Sequence, residues 1–141
     1  MPAETSLPST PPSILIVEDE VLVACEMQAI LEDAGYSVAG IALDVPAAAR
    51  FYDHPLALAL VDLNLRDGLT GPQIGEQLSR QGVPVIFVTA NPRQLGDGIA
   101  GTVGVLSKPT DEDTLLATVA YALKRRMGEA VAPPPALALF G

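Results

Sequence analysis

The chain has no tryptophan, one cysteine, one histidine and only three Phe and three Tyr in 141 residues. A lone cysteine, Cys25, excludes an internal disulfide. It falls in a segment of helical periodicity, where the expectation is a buried, inert thiol. The lone histidine, His54, lies in a loop beside Asp53 and Pro55. It has no partner at metal-ligand spacing and no arrangement for a Ser-His-Asp triad, so it reads as a surface residue. Basic side chains are scarce, with 8 Lys+Arg against 17 Asp+Glu and a net charge of −9. That balance argues against non-specific binding to nucleic acid or to an anionic membrane. No apolar run approaches the ~20 residues of a membrane-spanning helix. The N-terminus lacks the basic and apolar regions of a signal peptide. The expected location is the cytoplasm.

What the chain does have is aliphatic side chains, with 49% of residues hydrophobic. Its length suits one domain. Short apolar runs recur at 14–17, 38–43, 57–61, 85–88 and 103–106, and each reads as a strand. Between them lie helical patterns at about 20–34, 45–52 and 72–81, with a last helix opening at Thr110 or Asp111 and running to Met127. Residues 92–99 hold at best a weak helix, because glycines stand at 96, 98 and 101. Strands alternating with helices predict an α/β three-layer sandwich around a five-stranded parallel sheet, doubly wound in flavodoxin-like order. Residues 1–13 and 128–141 are rich in Pro and small residues, and both are expected to be disordered tails around an ordered 14–127.

The run Leu58-Ala59-Leu60-Val61 ends abruptly in Asp62. Ligands of open parallel sheets bind outside the carboxyl ends of the strands. Other runs end there in Glu18-Asp19-Glu20, in Thr89-Ala90 and in Lys108-Pro109. Each residue has an ordinary explanation. A lone Asp at a strand end usually caps the next helix, Thr89 can cap a turn, Lys108 before a proline is usually solvated, and acids suit a helix start. The ordered set on adjacent strand ends is far more specific than any member. Carboxylate oxygens of Asp19 and Asp62, with the Asn64 backbone carbonyl, suit a hard cation such as Mg²⁺. A carboxylate beside a cation and a lysine can attack phosphorus and become an acyl phosphate. Lys108 would neutralise phosphoryl oxygens and Thr89 would hydrogen-bond one of them. The run Gly96-Asp97-Gly98-Ile99-Ala100-Gly101 matches a dinucleotide fingerprint only in letters, because it does not lie directly between a strand and a helix.

At these motifs the chain resembles the receiver domain of two-component response regulators. Ile-Val-Glu18-Asp19-Glu20, Val61-Asp62-Leu63-Asn64-Leu65, Val88-Thr89-Ala90 and Ser107-Lys108-Pro109 carry the likeness, which spans about 14–127. The resemblance implies Asp62 as phosphoacceptor, Asp19 as direct Mg²⁺ ligand and Glu18 as a ligand through water. It implies Thr89 and Ala90 at the switch position and Lys108 as the phosphoryl-binding lysine. A sensor histidine kinase or a histidine phosphotransfer protein would be the donor. The family's usual aromatic switch residue is replaced by Val105, so a Thr–aromatic rotation is expected to be absent or altered. That substitution and the weak fourth helix resemble alphaproteobacterial receivers, including those of general stress-response regulators and stand-alone receivers served by HWE-type kinases. The few residues after Met127 are too few for a DNA-binding module, so the expected output is partner binding or phosphoryl relay, unless the chain is a segment of a longer regulator. Two other classes stay open: an aspartate-dependent phosphatase, and a receiver-like scaffold that is never phosphorylated. The phosphatase class usually has a second carboxylate where Asn64 stands.

Overall fold

Successive residues of a strand face opposite ways, so a strand covered on both sides must be apolar throughout. The computed structural model, which describes residues 11–140, uses the apolar runs in that way. β1 (Ser13–Val17) sends Ile14 and Ile16 to one core and Leu15 and Val17 to the other. β3 (Leu58–Val61) and β4 (Val85–Thr89) divide likewise, with Leu58, Leu60, Ile86 and Val88 on one side and Ala59, Val61, Val85 and Phe87 on the other. α1 (Val21–Asp33) and α4 (Glu112–Arg126) cover the first core through Ala24, Met27 and Leu31 and through Leu115, Val119 and Ala122. α2 (Val45–Ala49) and α3 (Gly71–Arg80) cover the second through Ala48, Ile74 and Leu78. Each large side chain fully buried here contributes about 1.5–3 kcal/mol, and Phe87, Ile14, Leu31, Leu60 and Leu78 are among those below 2% exposure.

The helix starts follow from capping. Asp44 accepts from the Ala47 N–H at 3.0 Å to begin α2, and Asp111 accepts from the Thr114 N–H at 2.7 Å to begin α4. Lys124, Arg125 and Arg126 close α4, where cations suit the helix dipole. β2 (Ser37–Ala42) and β5 (Gly104–Ser107) complete the parallel part of a sheet ordered β2-β1-β3-β4-β5-β6. This is the doubly wound three-layer architecture that the alternating pattern predicts. The chain order reverses between β1 and β3, where such sheets bind ligands.

The structure departs from the sequence reading in several places. β1 begins at Ser13, and Pro12 accepts from the Ser37 N–H at 2.9 Å, so only residues 1–10 of the expected N-terminal tail lie outside the described residues. The weak helix after β4 is a single 3-10 turn, Pro92–Leu95. The sheet has a sixth, antiparallel strand, β6 (Ala138–Leu139), within a segment expected to be disordered. Its prolines argued for disorder, but Leu137 is buried and the edge of β5 offers backbone partners. Cys25 is exposed rather than buried, because the inward positions of α1 are Ala24, Met27 and Leu31. His54 is a surface residue with its ring edge-on to Phe51 at 5.1 Å. Among the described residues no helix is long and apolar enough to cross a membrane.

Candidate functional site

Register builds the site. Val17 and Val61 are paired in β1 and β3, so Glu18 and Asp62 both stand one residue past the paired ends. The Asp62 N–H donates to the Val17 carbonyl at 2.9 Å, which fixes the two strand ends to each other. Thr89 and Ser107 are paired in β4 and β5, and the Lys108 N–H donates to the Thr89 carbonyl at 2.8 Å. The side chain of Lys108 then reaches across β4 to the acids. Its Nζ lies 2.6 Å from Glu18 Oε1, 2.8 Å from Asp62 Oδ2 and 3.5 Å from Glu20 Oε1. The Lys108–Pro109 peptide is cis.

Glu18, Asp19 and Asp62 each place a carboxylate oxygen within 4.8 Å of the others. Asp62 is 8% exposed and Glu18 2%. Clustering carboxylates under so little water is unfavourable unless cations share the site. Burial pushes the Glu18 carboxyl above the usual carboxylate range, and its hydrogen bonds from Lys108 and from the Glu20 N–H only partly offset that. Burial also works against the Lys108 ammonium, but Asp62 and Glu18 outweigh it and hold its pKa well above the ordinary lysine value. Lys108 is therefore a fixed cation at the rim. The donor set of three close carboxylates is the chemistry of a hard divalent cation rather than of a soft one.

The remaining candidates frame this centre. Thr89 is 1% exposed, and its Oγ accepts from the Asn91 N–H at 3.1 Å. Ala90 follows it on the surface, and Val105 is buried in β5. Asn64 is exposed and its Nδ2 donates to Gln94 Oε1 at 3.0 Å. Gln94 went unnoticed in the sequence and Glu20 was read only as part of the acidic run, because nothing local marks a contact across 30 or 88 positions. Gly71 also went unnoticed: a Cβ there would collide with the Asp62 carbonyl, so a glycine lets α3 start against the strand end that carries the aspartate. A cleft of about 720 Å³ lies elsewhere, lined by Pro12, His54 and Arg126 among others, and brings no carboxylates together.

A family model for the response regulator receiver domain matches residues 14–120. The chain belongs to that family and is a receiver of two-component signal transduction. Among the relatives, the phyllosphere-induced regulator PhyR of Methylorubrum extorquens is 33% identical over 114 residues, covering 78% of this chain and 43% of PhyR. The anti-anti-sigma factor PhyR of Bartonella quintana, solved as a double mutant, superposes with a TM-score of 0.73 at 27% identity, over 84% of this chain and 51% of that one. The CheY-like receiver of Methanospirillum hungatei JF-1 gives a TM-score of 0.74 at 27% identity, over 86% and 100%. The chain spans about half the length of the curated relatives it matches. Receivers are signalling domains rather than conventional enzymes, they bind Mg²⁺ at an acidic pocket, and their partners are histidine kinases or phosphotransfer proteins. This chain carries a cluster of acidic residues, Glu18, Asp19 and Asp62, at its strand ends.

Proposed function

We propose that Asp62 accepts a phosphoryl group from a phosphohistidine and that the modified receiver then changes its protein partner. The observation that carries this is Lys108 held between Glu18 and Asp62 across neighbouring strand ends. An Asp62 oxygen attacks phosphorus while the P–N bond of the donor breaks. The imidazole keeps that electron pair and takes up a proton. Lys108, already 2.8 Å from Asp62, meets the charge on the phosphoryl oxygens. Thr89 turns its hydroxyl from the Asn91 N–H toward a phosphoryl oxygen. Mg²⁺ held by Asp19, Asp62 and the Asn64 backbone carbonyl, with Glu18 acting through water, would supply further charge neutralisation when bound.

The donor is a sensor histidine kinase, of HWE type on the likeness to PhyR receivers, or a histidine phosphotransfer protein. A cytoplasmic setting follows from such a donor. The only reaction the chain catalyses is its own phosphorylation and dephosphorylation. An aspartate-dependent phosphatase is disfavoured because Asn64 stands where a second acid would be needed and its amide is engaged by Gln94.

Intact mass after incubation with Mg²⁺ and phosphoramidate tests the assignment. One added phosphoryl group is expected, absent in Asp62→Asn and absent without metal. An unmodified chain under conditions where Mg²⁺ binds would overturn it in favour of a scaffold that is never phosphorylated.

A further inference from the structure

Beyond α4 the chain turns back along the molecule. Residues 131–135 share a shallow cleft with Ala117, Ala120 and Tyr121 of α4. Leu137 then enters the first core, and Ala138 and Leu139 pair with Val105 and Gly104. The Phe140 N–H donates to the Val103 carbonyl at 3.0 Å. Its ring packs against the second core, 6.4 Å from that of Phe87. The segment therefore grips both faces of the sheet across the open edge of β5.

Two glycines are shaped to it. A Cβ on Gly104 would collide with the Ala138 carbonyl oxygen, and a Cβ on Gly98 would collide with the Phe140 ring. The β5 edge and the loop after the 3-10 turn thus form a seat for an extended strand with large apolar side chains three residues apart. Such edges bind peptides by adding a strand, with backbone hydrogen bonds for affinity and pockets for selectivity.

The same loop is tied to the phosphorylation site at two points. Asn91, which opens the 3-10 turn, donates its N–H to Thr89. Gln94, within the turn, holds Asn64. The Gly98 N–H then bonds the Leu95 carbonyl at 2.8 Å, so the seat of Phe140 is positioned by that turn. A second link runs along β4, where Phe87 stands two residues before Thr89.

We propose that residues 137–140 are a latch on the β5 edge, and that phosphorylation of Asp62 releases it. The vacated edge then takes an extended partner strand of the same chemistry, apolar with an aromatic three residues after a leucine. Moving the Thr89 hydroxyl frees Asn91, loosens the turn and unseats Phe140. Only two residue pairs join β5 to β6, so the strand is held weakly enough to be displaced. This latch rests on Asp62 being the phosphoacceptor.

Hydrogen exchange on the full chain tests it, with Mg²⁺ and beryllofluoride as a stable phosphoryl stand-in. The amide of residue 140 is expected to exchange at least tenfold faster on beryllofluoride binding, while amides of β1 and β3 do not change. Gly104→Ala and Phe140→Ala are expected to show the faster exchange without beryllofluoride. A synthetic peptide of residues 134–141 is expected to bind the beryllofluoride form at least tenfold more tightly than the untreated chain. Bound beryllofluoride with unchanged protection at residue 140 would overturn the latch and leave the phosphoacceptor intact. Failure of beryllofluoride to bind, together with no phosphoryl adduct by mass, would remove both.

Discussion

Glu18 shows how one side chain carries opposed demands. It is 2% exposed and touches Lys108, yet burial still raises its pKa. A carboxyl with a raised folded-state pKa favours the fold most when protonated, below its unfolded pKa, and that contribution is lost as pH rises through the folded value. At neutral pH Glu18 is thus a cost to the fold. Glu18→Gln is expected to unfold at higher urea than the parent at pH 7.5 without metal. The gap should narrow on acidification toward the carboxylate range. A parent as stable as the variant at every pH would remove this account. At this scale the sequence was informative about residue types. Asp62, Thr89 and Lys108 stand at the ends of apolar runs, and those positions mark them as an ordered set. It said nothing of Gln94 or of Glu20 meeting Lys108, because side-chain contacts between distant segments leave no local pattern.

Elements decide what the site can be reached by. α1 begins directly after the acids, and its first residues Val21 and Leu22 are 58% and 86% exposed. Leu69, in the loop after β3, is also exposed. Apolar groups left in water beside the acidic cluster suit a docking protein. Leu22→Asp is expected to slow phosphoryl transfer from a cognate kinase or phosphotransfer protein at least tenfold. Labelling by phosphoramidate should be unchanged, because the small donor needs no docking face. Equal loss with both donors would place Leu22 in the chemistry instead. The elements themselves were legible wherever periodicity was strong. α1, α3 and α4 match their apolar spacing, and Asp44 and Asp111 cap where expected. The segment after Thr89 was not legible as a helix. Glycines at 96, 98 and 101 keep it to one 3-10 turn. β5 is the last parallel strand of the sheet, and β6 covers its edge.

For the whole molecule, acidity and cation binding are linked. The net charge is −9, and part of it is concentrated at one rim. A ligand that binds only the folded chain stabilises it in proportion to the logarithm of its excess over Kd, about 2.7 kcal/mol at a hundredfold excess. Mg²⁺ is therefore expected to raise Tm, and Asp19→Asn should abolish most of the rise while leaving the metal-free Tm close to that of the parent. A Tm insensitive to Mg²⁺ would argue against a resident cation. The sequence by itself determined the fold class, since uninterrupted apolar runs alternating with amphipathic helices have few other solutions. It also determined which residues would stand at the strand ends. Only the tertiary structure decided that Lys108 bridges Glu18 and Asp62, because that depends on which strands are neighbours and in what register. It also decided that the segment read as a loose tail is a strand. Three prolines in a row outweigh Leu137, Leu139 and Phe140 in composition, whereas an open sheet edge and two glycine-lined seats outweigh the prolines in space.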